Sequence, residues 1–159
     1  MSSSTLSGAI PSQPSPQIQV VIDFLASFGR KDFETIASLA SDDYVHYVLP
    51  KTLGIPPSEK TPWLKSTQEM LGIFNNDFKL DIEEIVEGQN AVIIHAESSA
   101  TTTTGAKYNN EYVIIFELKT DTEGAVKIKR AKEFVNSKFT AEFFAAERAR
   151  QAARNKDAV

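Results

Sequence analysis

The sequence predicts an α+β fold in which a curved, mostly antiparallel sheet closes as a cone over helices gathered on one face. Three observations carry that expectation. Apolar spacing is helical early in the chain and strand-like later, in the order helix, helix, strand, helix, then four strands and a closing helix. The turns between the last four strands, at 88–90, 104–106 and 121–124, are too short for parallel crossovers. The alternation of Phe78, Leu80 and Ile82 breaks at Glu83 and Glu84 before Ile85, which predicts a β-bulge and a bend in the sheet.

The elements follow in order. Ser15 is a candidate cap with Pro16 at the first helical position, where a missing N–H is harmless. Ile18, Val21, Ile22, Leu25 and Phe28 then repeat at helical spacing, and Gly29 is the expected stop. Asp32 caps a short second helix carrying Phe33, Ile36 and Leu39. A strand over 44–49 places Tyr44, His46 and Val48 on one face and Val45, Tyr47 and Leu49 on the other. The loop 50–57 holds three prolines and a glycine, so it is stiff. Thr61 and Pro62 start a third helix whose apolar face is Trp63, Leu64, Thr67, Met70, Leu71 and Phe74. Long strands are expected over 91–103, 108–120 and 126–135, and Ser137 or Thr140 caps a last helix with Phe143 and Phe144 on one side.

One domain over 15–152 accounts for the chain, with a disordered Ser/Pro-rich lead over 1–14 and a frayed tail over 153–159. A net charge of -4 argues against a nucleic-acid or anionic-membrane surface. The cluster Lys127, Lys129, Arg130 and Lys132 reads as the solvent face of a strand. With no cysteine, thiol catalysis and Cys-based zinc sites are excluded. The N-terminus lacks a cationic start and an apolar run, and no stretch approaches the ~18 apolar residues of a membrane span. A cytoplasmic location is the resulting expectation.

Several polar residues fall where chemistry is possible. Glu133 shares strand parity with Ala131 and Val135, an otherwise apolar set expected to line the cone. A carboxylate there is either a general acid or base, or a structural group bonded to loop N–H groups or an arginine. His46 and His95 are the candidate proton partners of Glu133. Neither forms a metal-ligand spacing with the scattered carboxylates, so no metal is expected. Asn110 and Tyr112 share one face of their strand, Glu111 and Val113 the other, and either set can look into the cone. If the first set does, Asn110 and Tyr112 are donors for an enolate or carbonyl oxygen. Trp63 and Phe74 are core residues that can also wall a pocket, and Lys51 in the stiff loop is a further candidate contact to substrate.

The segments 47–54 (Tyr-Val-Leu-Pro-Lys-Thr-Leu-Gly), 109–113 (Asn-Asn-Glu-Tyr-Val) and 132–139 (Lys-Glu-Phe-Val-Asn-Ser-Lys-Phe), with this element order and size, resemble the fungal SnoaL-like branch of the nuclear transport factor 2-like superfamily. The resemblance covers about residues 16–150. It implies a nuclear transport factor 2-like or cystatin-like α+β roll. It also implies an isomerase or cyclase of secondary metabolism that acts without a cofactor on a hydrophobic, carbonyl-containing polyketide or terpenoid. The ketosteroid isomerase and polyketide cyclase branches place an acid/base Asp near the end of the first strand or in the sheet, where Val48 and Leu49 stand here. The last motif of the fungal group usually has Asp at the place of Asn136, a candidate pocket residue. The superfamily also hosts non-catalytic members. The alternative is therefore a small-molecule-binding or dimeric assembly protein of the same fold. In either case Val113 and Ile115 lead to the expectation of a homodimer through the outer sheet face.

Overall fold

The computed structural model describes residues 5–157. Strand β1 (Leu6–Gly8) is followed by helices α1 (Pro16–Arg30) and α2 (Phe33–Leu39), then strand β2 (Ala40–Leu49). After a 3-10 turn at Lys51–Leu53 come strand β3 (Ser58–Glu59), helix α3 (Lys60–Gly72) and strands β4 (Lys79–Glu87), β5 (Ala91–Thr101), β6 (Lys107–Thr120) and β7 (Val126–Val135). Helix α4 (Ser137–Asp157) closes the described chain.

Among the described residues, the seven strands form one sheet in the order β1-β4-β5-β6-β7-β2-β3. The β4–β5–β6–β7 meander is antiparallel, and β2 joins β7 in parallel. The pairing of β4 with β5 slips between Ile82 and Glu84, which puts the bulge where the two glutamates interrupt the alternation. On β6 every second residue from Tyr108 to Leu118 is buried, so Asn110 and Tyr112 look inward and Glu111 and Val113 outward. That resolves the face left open by the sequence.

Helix α1 lies across the inner face. Ser15 Oγ accepts the Ile18 N–H at 3.1 Å, and Pro16 sits in the first turn. Its buried stripe of Ile18, Val21, Phe24 and Leu25 packs on the sheet. Phe24 stacks on Trp63 of α3, with ring centroids 5.9 Å apart and planes 13° apart. It also meets Phe116 of β6 edge-on at 5.9 Å.

Three expectations are corrected. The lead over 1–14 is not wholly disordered: β1 pairs in parallel with β4, Leu6 opposite Leu80, and Leu6 is buried. Residues 1–4 lie outside the described residues. Helix α1 does not stop at Gly29 but runs to Arg30, and Lys31 takes the left-handed capping conformation with φ 54°. Gly29 is needed for space instead, since a Cβ there would overlap Thr5 Cβ and stand 2.9 Å from the Phe78 carbonyl oxygen. Finally, α4 is capped by Asn136, whose Oδ1 accepts the Phe139 N–H at 3.1 Å, rather than by Ser137 or Thr140. The helix continues to Asp157, through most of the expected tail.

What ties α4 to the sheet is a buried carboxylate. Glu147 accepts from Thr104 Oγ1 at 2.8 and 2.9 Å, from Arg150 Nε at 2.7 Å and from Gln151 Nε2 at 3.2 Å. Burial alone would raise its pKa, but these donors outweigh burial and hold it below the ordinary value of 4.5. A carboxyl group whose folded pKa is depressed stabilises the fold above its unfolded pKa, and that stability is lost as pH falls through the folded value. Glu147→Gln is therefore expected to lower stability by about 1–3 kcal/mol at pH 7 and to flatten the loss of stability below pH ~4.5, both read from urea melts across pH. Among the described residues, no helix is long and apolar enough to cross a membrane.

Candidate active site

The bend of the sheet leaves a cavity of about 570 Å³ between its concave face and helices α1, α3 and α4. Its walls are mostly apolar, with Phe24, Leu25 and Phe28 from α1, Trp63 and Met70 from α3, Ile114 and Phe116 from β6, and Phe144 from α4. Two polar groups converge on it.

The first joins β2 and β7. Parallel pairing sets His46 opposite Ala131 and Val48 opposite Glu133, so the histidine and the glutamate are diagonal neighbours facing the same way. His46 Nε2 lies 3.0 Å from Glu133 Oε2. On the other side of the imidazole, Nδ1 lies 2.9 Å from the Tyr44 hydroxyl. Tyr44 is fully buried, and burial together with the Glu133 charge pushes its pKa well above the usual tyrosine value, so the hydroxyl keeps its proton. That hydroxyl has no other hydrogen-bond partner among the described residues, so it donates to Nδ1. In the neutral imidazole that bond leaves the proton on Nε2, which donates to Glu133. Trp63 stacks on the same imidazole, with centroids 5.3 Å and planes 22° apart, which locks the ring. Glu133 Oε1 has no protein partner among the described residues. One carboxylate oxygen is held and the other is left for a ligand.

The second group is a hydroxyl chain along β5 and β6. Ser98 Oγ is 2.8 Å from the Tyr112 hydroxyl, which is 2.7 Å from the Tyr108 hydroxyl. Asn110 Nδ2 donates to Tyr108 at 3.0 Å and to Thr140 Oγ1 of α4 at 3.0 Å. Three hydroxyl protons serve two bonds between these hydroxyls, so one proton is left over. Ser98 is buried away from the cavity and has no further acceptor among the described residues, whereas Tyr108 lines the cavity. The chain therefore runs from Ser98 through Tyr112 to Tyr108, and the spare O–H is that of Tyr108. Burial first, then the Glu133 charge, raises the pKa of Tyr108, so it is a donor at neutral pH.

The residues singled out from the sequence divide accordingly. Glu133, His46, Tyr112, Asn110 and Trp63 all line the cavity. His95 does not. It stands on the outer face of β5, with Nε2 2.8 Å from Glu111 and Nδ1 3.4 Å from Glu83, and the Glu111 bond chiefly raises its pKa. Strand parity is the reason: Ile94 and Ala96 on either side of it point inward. Phe74 is fully buried against Phe78 and Tyr108 and does not reach the cavity. Lys51 is exposed on the 3-10 turn, and Ile55 of the same loop lines the cavity instead. Asn136 is an exposed helix cap outside the cavity, a position where Asp and Asn serve equally. An Asp-to-Asn change there removes no base from the cavity.

Sequence reasoning missed Tyr44, Tyr108, Ser98 and Thr140. Tyr44 was legible in part, since it shares the face of His46. The role of Tyr108 was not, because it depends on the spare proton of a chain that spans two strands.

A family model described as SnoaL-like domain matches residues 21–127. The chain is 28% identical over 138 residues to Monooxygenase dmxR10 of Cryptosporiopsis sp. (strain 8999), spanning 85% of this chain and 89% of that protein. It is 26% identical over 102 residues to Austinoid biosynthesis clusters protein H of Penicillium brasilianum, spanning 61% and 69% respectively. Among solved structures, BvnE pinacolase from Penicillium brevicompactum superposes with a TM-score of 0.72 at 21% identity, over 92% of this chain and 98% of that one. At that identity the structural likeness speaks for the fold alone. The family match runs from within α1 through β6 and includes the elements that carry His46, Trp63, Asn110 and Tyr112, and so the chain belongs to the SnoaL-like domain family of the nuclear transport factor 2-like superfamily.

Proposed function

We propose that the protein is a cofactor-independent acid–base isomerase or cyclase acting on a hydrophobic, carbonyl-containing small molecule of polyketide or terpenoid type. The observation that carries this reading is the Glu133 carboxylate, which lines an apolar cavity with Oε2 held by His46 and Oε1 without a protein partner among the described residues. The name of one similar protein, a member of an austinoid biosynthesis cluster, supports a place in secondary metabolism.

In this reading Glu133 Oε1 removes a proton from the carbon beside the carbonyl. The electron pair moves into the C–C bond, and the carbonyl oxygen becomes an enolate oxygen that accepts the Tyr108 O–H. Protonated Glu133 then returns the proton to another carbon of the substrate, or the enolate carbon attacks a second carbonyl of the same molecule and the alkoxide that forms takes the proton from Glu133. His46 is a positioning donor rather than a proton shuttle, because its Nε2 already carries a proton and its Nδ1 is occupied by Tyr44. Walls of Phe24, Trp63 and Phe116 exclude water and strengthen both interactions.

The test is exchange of α-hydrogens. A panel of cyclic and polycyclic ketones is incubated with the protein in D2O, and deuterium uptake is followed by mass spectrometry. Enzyme-dependent uptake that disappears in Glu133→Gln is the expected result. Uptake that survives the substitution would remove Glu133 from the mechanism. Tyr44→Phe leaves His46 Nδ1 without its donor and frees the tautomer, so kcat is expected to fall about tenfold with KM unchanged. A merely structural role for Tyr44 would move stability and leave the kcat-to-KM split alone.

The same reading includes a homodimer through the outer sheet face. Its support is the exposure of Val86 (47%), Val113 (41%) and Phe134 (44%), with Val113 directly opposite Phe134 across β6 and β7. Sedimentation of the wild type against Val113→Lys tests it.

A further inference from the structure

Helix α4 carries an arginine at 148, 150 and 154, and two of the three are committed. Arg150 Nε donates to Glu147 at 2.7 Å, and Arg154 Nη1 donates to the Thr103 carbonyl oxygen at 2.8 Å. Arg148 has no hydrogen bond or ion pair among the described residues, yet it lines the cavity. Only three lining residues are exposed, Ile55, Ser66 and Arg148, and they mark the mouth.

Two further facts give this guanidinium a direction. Thr140, Phe144 and Arg148 line the cavity from one face of α4 at four-residue spacing. Thr140 is tied to Asn110 at the inner wall. Eight residues of helix rise about 12 Å, so Arg148 stands that far along the cavity from its polar inner end. The charges at the two ends are also opposite. The Glu133 carboxylate lines the inner part of the cavity, and the guanidinium lies at the mouth. An anionic group on a ligand is repelled from the first and attracted to the second, so the ligand enters with its uncharged end leading.

We propose that the molecule bound in this cavity carries a carboxylate, which Arg148 holds at the mouth while the apolar body and carbonyl end reach inward to Glu133 and Tyr108. The planar guanidinium suits a carboxylate through two parallel N–H···O bonds, and no group among the described residues competes for it. This inference rests on the carbonyl reading of the inner site and adds the substrate class and its orientation.

Trp63 is the single tryptophan of the chain and forms part of the cavity wall, so intrinsic fluorescence reports occupancy directly. The experiment titrates 8-phenyloctanoate and the uncharged 8-phenyloctanamide into wild type, Arg148→Gln and Lys138→Gln. Lys138 is an exposed cation on the same helix that does not line the cavity, and near-UV circular dichroism verifies each fold. Wild type and Lys138→Gln are expected to bind the acid about five- to tenfold more tightly than the amide. Arg148→Gln is expected to lose that preference while its affinity for the amide is unchanged. Equal affinities in the wild type, or a preference that survives Arg148→Gln, would overturn the role of Arg148 and leave the inner site standing. Failure of both probes to perturb Trp63 would overturn the cavity as a ligand site, and the proposed function with it.

Discussion

Glu133→Gln is expected to lower kcat for α-proton exchange by about 10²–10⁴-fold, the usual contribution of a positioned general base. The substitution keeps the shape of the side chain. Its amide oxygen still accepts the His46 Nε2–H that now meets Oε2 at 3.0 Å, so the ring, the Trp63 stack and the Tyr44 bond have no reason to move. What is lost is basicity at the free oxygen. Because the Glu133 side chain is only partly buried, the change in stability should stay within about 1 kcal/mol. The reading of this fold as a non-catalytic binding or assembly module makes the opposite demand. There the carboxylate is structural, and its loss destabilises by about 1–3 kcal/mol without touching any turnover. Paired measurements of exchange rate and urea midpoint on the same variant separate the two readings.

Trp63→Ala is expected to give the largest loss of stability of any single change in the cavity wall, about 3–5 kcal/mol. The indole is 4% exposed and packs against four rings, Phe24, Phe28, Tyr44 and His46. Its removal leaves a void where α1, α3 and β2 meet, and rigid rings cannot collapse into it. For a domain of this length the melting temperature should fall by roughly 10 °C or more, measured by calorimetry. Trp63→Phe should recover much of that stability, since it restores a ring on Phe24. It should not recover full activity, because a smaller ring leaves the His46 imidazole free to tilt and Glu133 without a fixed partner. A variant that regains stability and activity together would show that the stack serves packing alone.

Much of the site is legible in the sequence because strands obey parity. The alternation Ala131, Glu133, Val135 marks Glu133 as an inward carboxylate, and Tyr44, His46 and Val48 share a face by the same rule. Parity says which residues share a face, but not which face is covered. His95 illustrates the limit. In sequence it is as plausible a partner for Glu133 as His46 is, and the fold puts it on the other side of the sheet between Glu83 and Glu111. Phe74 fails for a related reason: helical spacing groups it with Trp63, but the helix ends at Gly72 and the phenylalanine turns into the core to bridge Thr102.

The sequence by itself determined the four helices, five of the seven described strands, the bulge at Glu83 and Glu84, the antiparallel meander and the family, because each is written in local periodicity, turn chemistry or short motifs. Tertiary structure alone decided which face of β6 is inward, which histidine meets Glu133, and that Tyr108 holds the spare hydroxyl proton. It also decided that the first residues of the described chain pair with β4 and that Arg148 stands at the mouth of the cavity. These are properties of groups far apart in sequence, such as His46 and Glu133, which are 87 positions apart. Local periodicity carries no information about such distances. They are settled only when burial of the apolar faces chooses one packing of helices on the sheet, and with it one set of neighbours for every polar side chain.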